Sequence, residues 1–195
     1  MRAILPSPDG PVLADAPRPT PGPDEVLVRV RASALNRADL AMLKGAAHGR
    51  TGGVGQPLGL EWAGEVVETG AAVETWRVGD RVMAAGGGAF AEYAVSHARR
   101  IYPVPEGLSF EQAATLPVAL QTMHDAIATH GELAAGQSVL IQGASSGVGL
   151  MGLQIAKVLG ARGSPSSGPI WRSTAGRPTG WIRSGRRRAA RGSTW

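Results

Sequence analysis

The sequence predicts an α/β protein: a small, glycine-punctuated β-barrel, then a strand, a glycine-rich turn and a helix of the kind that opens a parallel sheet. Three observations carry this expectation. Short β-type segments fill the first hundred residues; the texture turns helical at Ser109; and the apolar run Val139-Leu140-Ile141 leads directly into Gln142-Gly143-Ala144-Ser145-Ser146-Gly147-Val148-Gly149.

Taken in order, MRAIL from Met1 reads as a strand, and Pro17 to Pro23 as a proline-rich turn. EVLVRVRASAL follows, with Val26, Val28 and Val30 alternating as in half-buried β-structure. WAGEVVETG and DRVMAAG supply two more strands, separated by Gly70 and the turn Val78-Gly79-Asp80, and AFAEYAV another after Gly86-Gly87-Gly88. Ser109 with Gln112 three residues on is a capping box that opens a short helix, which Pro117 terminates or kinks. Leu120 to His130 then reads as a helix capped by Gly131. Val139-Leu140-Ile141 suits a strand buried on both faces of a parallel sheet. The last helix presents an apolar face at Met151, Ile155, Val158 and Leu159 and ends at Gly160.

Composition bounds the chemistry. The chain has 195 residues, 43% of them hydrophobic, and no cysteine, which excludes a disulfide framework and every thiolate metal site. MRAILPSPDG has no apolar stretch before its prolines, and no run of about 18 apolar residues occurs, so no membrane span is expected and a cytoplasmic location is. The net charge of +5 is unevenly placed: residues 1–162 hold 13 Lys and Arg against all 15 acids, whereas residues 163–195 hold seven arginines and no acid. That Gly-, Ser- and Pro-rich segment has no periodicity and reads as disordered. It suits either an arginine-rich arm contacting nucleic-acid phosphates or, given the abrupt change at Gly163, a frameshifted or artificial C-terminus. Because no basic or aromatic face occurs elsewhere, nucleic acid is not the expected partner.

Chemistry is concentrated in the turn from Ala144 to Gly149. Small residues there let the backbone approach a pyrophosphate, and the N-terminus of the following helix offers free N–H donors at a positive dipole end. Ala144-x-x-Gly147-x-Gly149 departs from the strict G-x-G-x-x-G spacing; the contiguity of strand, turn and helix carries the reading. The same glycines would also serve a tight strand-to-helix turn that binds nothing.

The segment QSVLIQGASSGVGLMGLQIAKVLGA resembles the nucleotide-binding loop of the zinc-independent quinone oxidoreductases in the medium-chain dehydrogenase/reductase superfamily. LNRADLAMLKG, PLGLEWAGEVVETG, VGDRV, GAFAEYAV and PEGLSFEQAATLPVALQT resemble that family's segments in the same order, so the resemblance covers residues 1–162. It implies a GroES-like β-barrel catalytic domain over 1–120, the first βα unit of an incomplete Rossmann NAD(P)-binding domain over 121–162, and a chain truncated or frameshifted after about residue 162. It further implies hydride transfer from NADPH, or alternatively NADH, to a quinone or α,β-unsaturated carbonyl, and a homodimer as in relatives. Cofactor preference is not legible, because Gly163-Ser164-Pro165 stands where a central second strand would begin.

Site residues come from the same resemblance. Asn36 is placed beside the nicotinamide ribose and substrate, Thr122 near the nicotinamide, and Ala144, Ser145, Ser146, Gly147, Val148 and Gly149 under the pyrophosphate. Zinc is not expected: the zinc-dependent branch has a Cys in the segment holding Asn36 and a His where Leu60 stands between Gly59 and Glu61. His48, His97, His124 and His130 show no ligand spacing. Plainer roles stay open, since Asn36 could make only a turn hydrogen bond and Thr122 could bond only the preceding turn. Asp39 reads as a loop or cap residue. Ala41 stands where relatives often carry a Tyr, so no proton donor is evident and the acceptor must already be an electrophilic small molecule. The alternative functions are an enoyl-thioester reductase and a non-catalytic fragment whose basic tail binds nucleic acid.

Overall fold

The chain divides into two units, Met1–Val118 and the residues from Ala119 on. The computed structural model describes residues 1–44 and 55–161.

In the first unit β1 (Arg2–Ser7) and β2 (Gly10–Asp15) pair antiparallel from Arg2↔Asp15 to Ser7↔Gly10. Gly10, at φ +117°, makes the reversal. β3 (Glu25–Ser33), β4 (Glu61–Thr69), β5 (Arg81–Ala85), β6 (Tyr93–His97) and β7 (Tyr102–Pro103) form an antiparallel sheet in the order β6-β3-β4-β5-β7. A bridge between Ala3 and Ala91 links the hairpin to the loop before β6. The expected strands are present, and β2 and β7 are added to them. GPVLAD, the β2 sequence, begins with Gly-Pro and lacks a clear alternation, so it emerges only through pairing with β1.

Strict alternation fails in β3, where Val26, Leu27 and Val28 are all buried. β3 lies inside the sheet between β4 and β6, and its pairing with β4 slips at Leu27/Val28 and again at Val30/Ala32, which re-aims successive side chains. Val26, Val28, Trp62, Val66, Val82 and Ala84 make one core cluster. Ala63, Met83 and Val104 make a second with Ala113 and Ala114 of α2 (Phe110–Ala114). The capping box opens α2 as expected: the Ser109 hydroxyl accepts from Gln112 N at 3.2 Å, and the Gln112 side chain accepts from Ser109 N at 3.0 Å. α1 (Asp39–Leu43) buries Met42 against Leu58 and Leu60.

α2 ends ahead of Pro117 as expected, and Pro117 also opens the next helix: α3 runs Pro117–His124, with the proline where an unused N–H would otherwise sit. The helix expected over Leu120–His130 is present in two parts, starting earlier at Pro117 and changing form after His124. After α3 the backbone widens into a π turn over Asp125–Thr129, where His130 N donates to Asp125 O at 2.8 Å. The left-handed residue that follows is Glu132 (φ 45°), not Gly131. Gly131 is needed for another reason, since a Cβ there would stand 2.7 Å from the Ala126 carbonyl oxygen.

α4 (Gly147–Val158) completes the second unit, whose core is Met123, Ile127, Leu133, Ile141, Ala144 and Ala156. Two expectations are corrected here. Val139-Leu140-Ile141 pairs with no strand among the described residues, and Leu140 is 55% exposed, because a doubly buried strand requires a neighbouring strand and a layer on each face. Val158 is 86% exposed: the buried stripe of α4 is Gly149, Gly152 and Ala156, and a residue two positions after Ala156 falls on the opposite side of a helix.

Among the described residues no helix is long and apolar enough to cross a membrane. The readings of residues 163–195 and of His48 lie outside the described residues.

Candidate functional site

In the first unit, chemistry gathers at the loop between β3 and α1. The Asn36 backbone N–H donates to Asp39 Oδ2 at 2.6 Å, and Asp39 N returns a bond to Asn36 O at 3.0 Å. Asp39 thus holds the loop, as one of its two expected roles required; the α1 cap position is Ala38, which makes no side-chain cap bond. With its backbone tied down, Asn36 extends its side chain to Glu61, donating from Nδ2 to Oε1 at 2.8 Å. Glu61 Oε2 accepts from the Val118 backbone N–H at 2.9 Å. Glu61 is buried at the start of β4, and both carboxylate oxygens are engaged, which is the condition for tolerating a carboxylate there. Glu61 is not among the residues that sequence reasoning singles out. Its partners lie 25 and 57 residues away, so no local spacing announces them.

In the second unit, the turn before α4 is built by one serine and two glycines. Ser146 is the N-cap: its hydroxyl accepts from Gly149 N at 3.1 Å and donates to Gly143 O at 2.7 Å, while Ser146 N donates to the same carbonyl at 2.9 Å. Gly143 supplies the left-handed residue at φ +67°. The inner side of the turn is closed, because a Cβ on Gly149 would stand 2.6 Å from Ala144 Cα and closer still to Gly143 O. Its outer side is open: a Cβ on Gly147 would meet nothing within 4 Å. Leu150 N makes the first helical bond, to Ser146 O, so the Gly147 and Val148 amides precede the intrahelical ladder and are available as donors.

The sequence-predicted residues therefore fall into separate groups. Ala144 to Gly149 form one turn, within which the Ala144 side chain is buried in the core and only its backbone can face a ligand. Thr122 is an exposed residue of α3, and Asn36 belongs to the first unit. The turn fits a dinucleotide pyrophosphate: it has an open outer face, two amides outside the helical ladder and a twelve-residue helix whose positive dipole end points at them. Among the described residues no three His, Asp or Glu side chains gather as a metal site. His97 Nδ1 accepts from Arg99 N at 3.1 Å, and His130 Nε2 lies 3.4 Å from Asp125 Oδ2 at the surface.

The first unit is thus an antiparallel sheet with short helices, and the second carries a capped glycine turn at the start of a helix. Residues 22–106 match the alcohol dehydrogenase GroES-like domain, and what this chain is similar to lies in the medium-chain dehydrogenase/reductase superfamily. Its relatives include the low-reducing polyketide synthase drtA of Aspergillus calidoustus, 38% identical over 138 residues, which cover 71% of this chain and 6% of that one. Among solved structures, the quinone oxidoreductase from Coxiella burnetii is similar at TM-score 0.71 and 31% identity, over 83% of this chain and 54% of that one. The CurK enoyl reductase is similar at TM-score 0.74 and 28% identity, over 85% and 55%. The chain thus spans about half the length of the solved structures it resembles, and a small part of the synthase.

Proposed function

We propose that this chain forms part of an NADPH-dependent reductase, with NADH as the alternative donor, that delivers hydride to a quinone or an α,β-unsaturated carbonyl without zinc. The observation that carries the reading is the turn before α4, closed inside by Gly149 and open outside at Gly147. A bound nicotinamide supplies a hydride from its ring C4. The chain's own contribution is to bind and orient. The Gly147 and Val148 amides hold the anionic pyrophosphate, Ser146 keeps the turn in shape, and the exposed Thr122 belongs to the nicotinamide end. Asn36, fixed by Asp39 and Glu61, takes the position beside the ribose and substrate.

Zinc is left out on residue chemistry. Leu60, where the zinc-dependent branch has a histidine, is a hydrocarbon packed with Met42 and Leu58, and Asn36 stands where that branch has a thiolate. With neither a Lewis acid nor a proton donor at Ala41, the acceptor must be electrophilic already. The family's homodimer is proposed with the same reading.

A second reading, enoyl-thioester reduction, is favoured by the polyketide synthase match and by the similarity to an enoyl reductase. The test is a titration of the full chain with NADPH followed by intrinsic tryptophan fluorescence, then NADPH oxidation with a quinone and with an enoyl-thioester. Saturable binding supports the reductase reading, and the faster acceptor chooses between the two. An absence of binding at millimolar NADPH would falsify both.

A further inference from the structure

Glu61 stands out in the first unit as a buried acid, 4% exposed, that the proposed reaction does not itself use. Its Oε2 faces the Val118 backbone N–H, a group that can only donate, at 2.9 Å. Its Oε1 faces the Asn36 side-chain amide at 2.8 Å. An ionised carboxylate only accepts, so the amide must turn its NH2 toward Glu61. The choice between the two amide orientations of Asn36 is thereby settled by chemistry, and the bonds to Asp39 hold the backbone from which the side chain extends.

We propose that Glu61 is a positioning residue that sets the amide orientation of Asn36: one Nδ2 proton is committed to the carboxylate, and Oδ1 is the acceptor offered to a ligand. This rests on the reductase reading and deepens it. The partner of Asn36 is then a hydroxyl donor, such as a ribose hydroxyl of the dinucleotide. Orientation of the ligand is the task this assigns to Asn36.

The geometry supplies a sharp exchange test. In Glu61→Gln the new amide must still accept from Val118 N–H, so its NH2 faces Asn36, which then turns Oδ1 inward and offers a donor outward. In the double variant Asn36→Asp/Glu61→Gln, one oxygen of the carboxylate introduced at position 36 accepts from the amide introduced at position 61. The other oxygen is an acceptor again, with the local charge unchanged. NADPH affinity of the full chain, read by tryptophan quenching, is expected to fall about tenfold in Glu61→Gln and to recover to within about threefold in the double variant. A residue that merely supports the fold would not show this recovery. Unchanged affinity in Glu61→Gln, or a double variant as weak as the single one, overturns the proposal.

Side-chain amide NMR forms an independent arm. The Asn36 NH2 pair, assigned by its loss in the Asn36→Asp variant, is expected to exchange slowly in the wild type and fast in Glu61→Gln. Equal exchange in the two overturns the proposal. If the wild type binds no NADPH, the reductase reading falls, and the exchange arm alone decides whether Glu61 sets the orientation of Asn36.

Discussion

A methyl group on Gly149 would overlap the carbonyl oxygen of Gly143, so the first turn of α4 sits directly on the backbone of the loop that precedes it. Gly149→Ala therefore has no flexible neighbour to displace and must move main chain. We expect a loss of about 3 kcal/mol in chemical denaturation, together with loss of NADPH binding. Gly152→Ala is the control. Its Cβ would overlap the Met123 Cε methyl, the far end of a flexible side chain, and the expected cost is about 1 kcal/mol with binding retained. Equal losses in the two variants would show that the turn is not held by this contact.

Ser146 ties both ends of the same turn, accepting from Gly149 N and donating to Gly143 O. Ser146→Ala removes the N-cap and should cost about 1 kcal/mol of stability, whereas Ser146→Asp, another good cap, should recover most of it. Ser146→Asp should nonetheless weaken NADPH binding, because it sets a negative charge where an anion is proposed to bind. Tighter binding by the Asp variant would remove the turn as an anion site.

Gly64 of β4 packs directly against the backbone of β3. A Cβ there would overlap the Arg29 carbonyl group, so Gly64→Ala should prevent this pairing, with a loss of roughly 3 kcal/mol or more and a changed far-UV circular dichroism spectrum. Gly79→Ala isolates the backbone effect. Gly79 has φ +96° and no atom within 4 Å of a would-be Cβ. For that variant roughly 1–2 kcal/mol is expected from conformation alone.

Glu92 carries an expected pH dependence. The Arg2 backbone N–H, bound to its carboxylate at 2.8 Å, holds its pKa below 4.5; desolvation opposes this, and the Arg2 side chain adds to it. A carboxyl lowered on folding stabilises the protein above its unfolded pKa, and that stabilisation fades as pH falls through the lower, folded value. Because the main-chain donor dominates, Arg2→Ala should keep most of the depression in an NMR titration of Glu92. A return to the ordinary value in Arg2→Ala would show that the ion pair is the main cause.

Short-range relations are legible in the residue order. The capping box joins Ser109 to Gln112, the N-cap joins Ser146 to Gly149, and the glycine turn joins Gly143 to Gly149; each is written within a few residues of chain. The α/β class and the position of the turn follow from such signals. Val139-Leu140-Ile141 defeats the same kind of reading, because strand-forming residues become a strand only beside a partner. Val158 defeats it because an apolar residue near the end of a helix need not lie on its packed face.

Residue order and residue type suffice for β1, β3, β4, β5 and β6 of the first unit, for the absence of a metal-binding thiolate or imidazole at Asn36 and Leu60, and for the small residues that open the turn before α4. Packing in three dimensions was needed to bring Glu61 to Asn36 and Val118, to make Pro117 begin a helix, and to line up Gly149, Gly152 and Ala156 as the buried stripe of α4. The physical reason is one of range. Caps and turns are settled by bonds between neighbours in the chain, whereas the partner of a buried carboxylate is chosen by which distant N–H groups packing brings within about 3 Å of it.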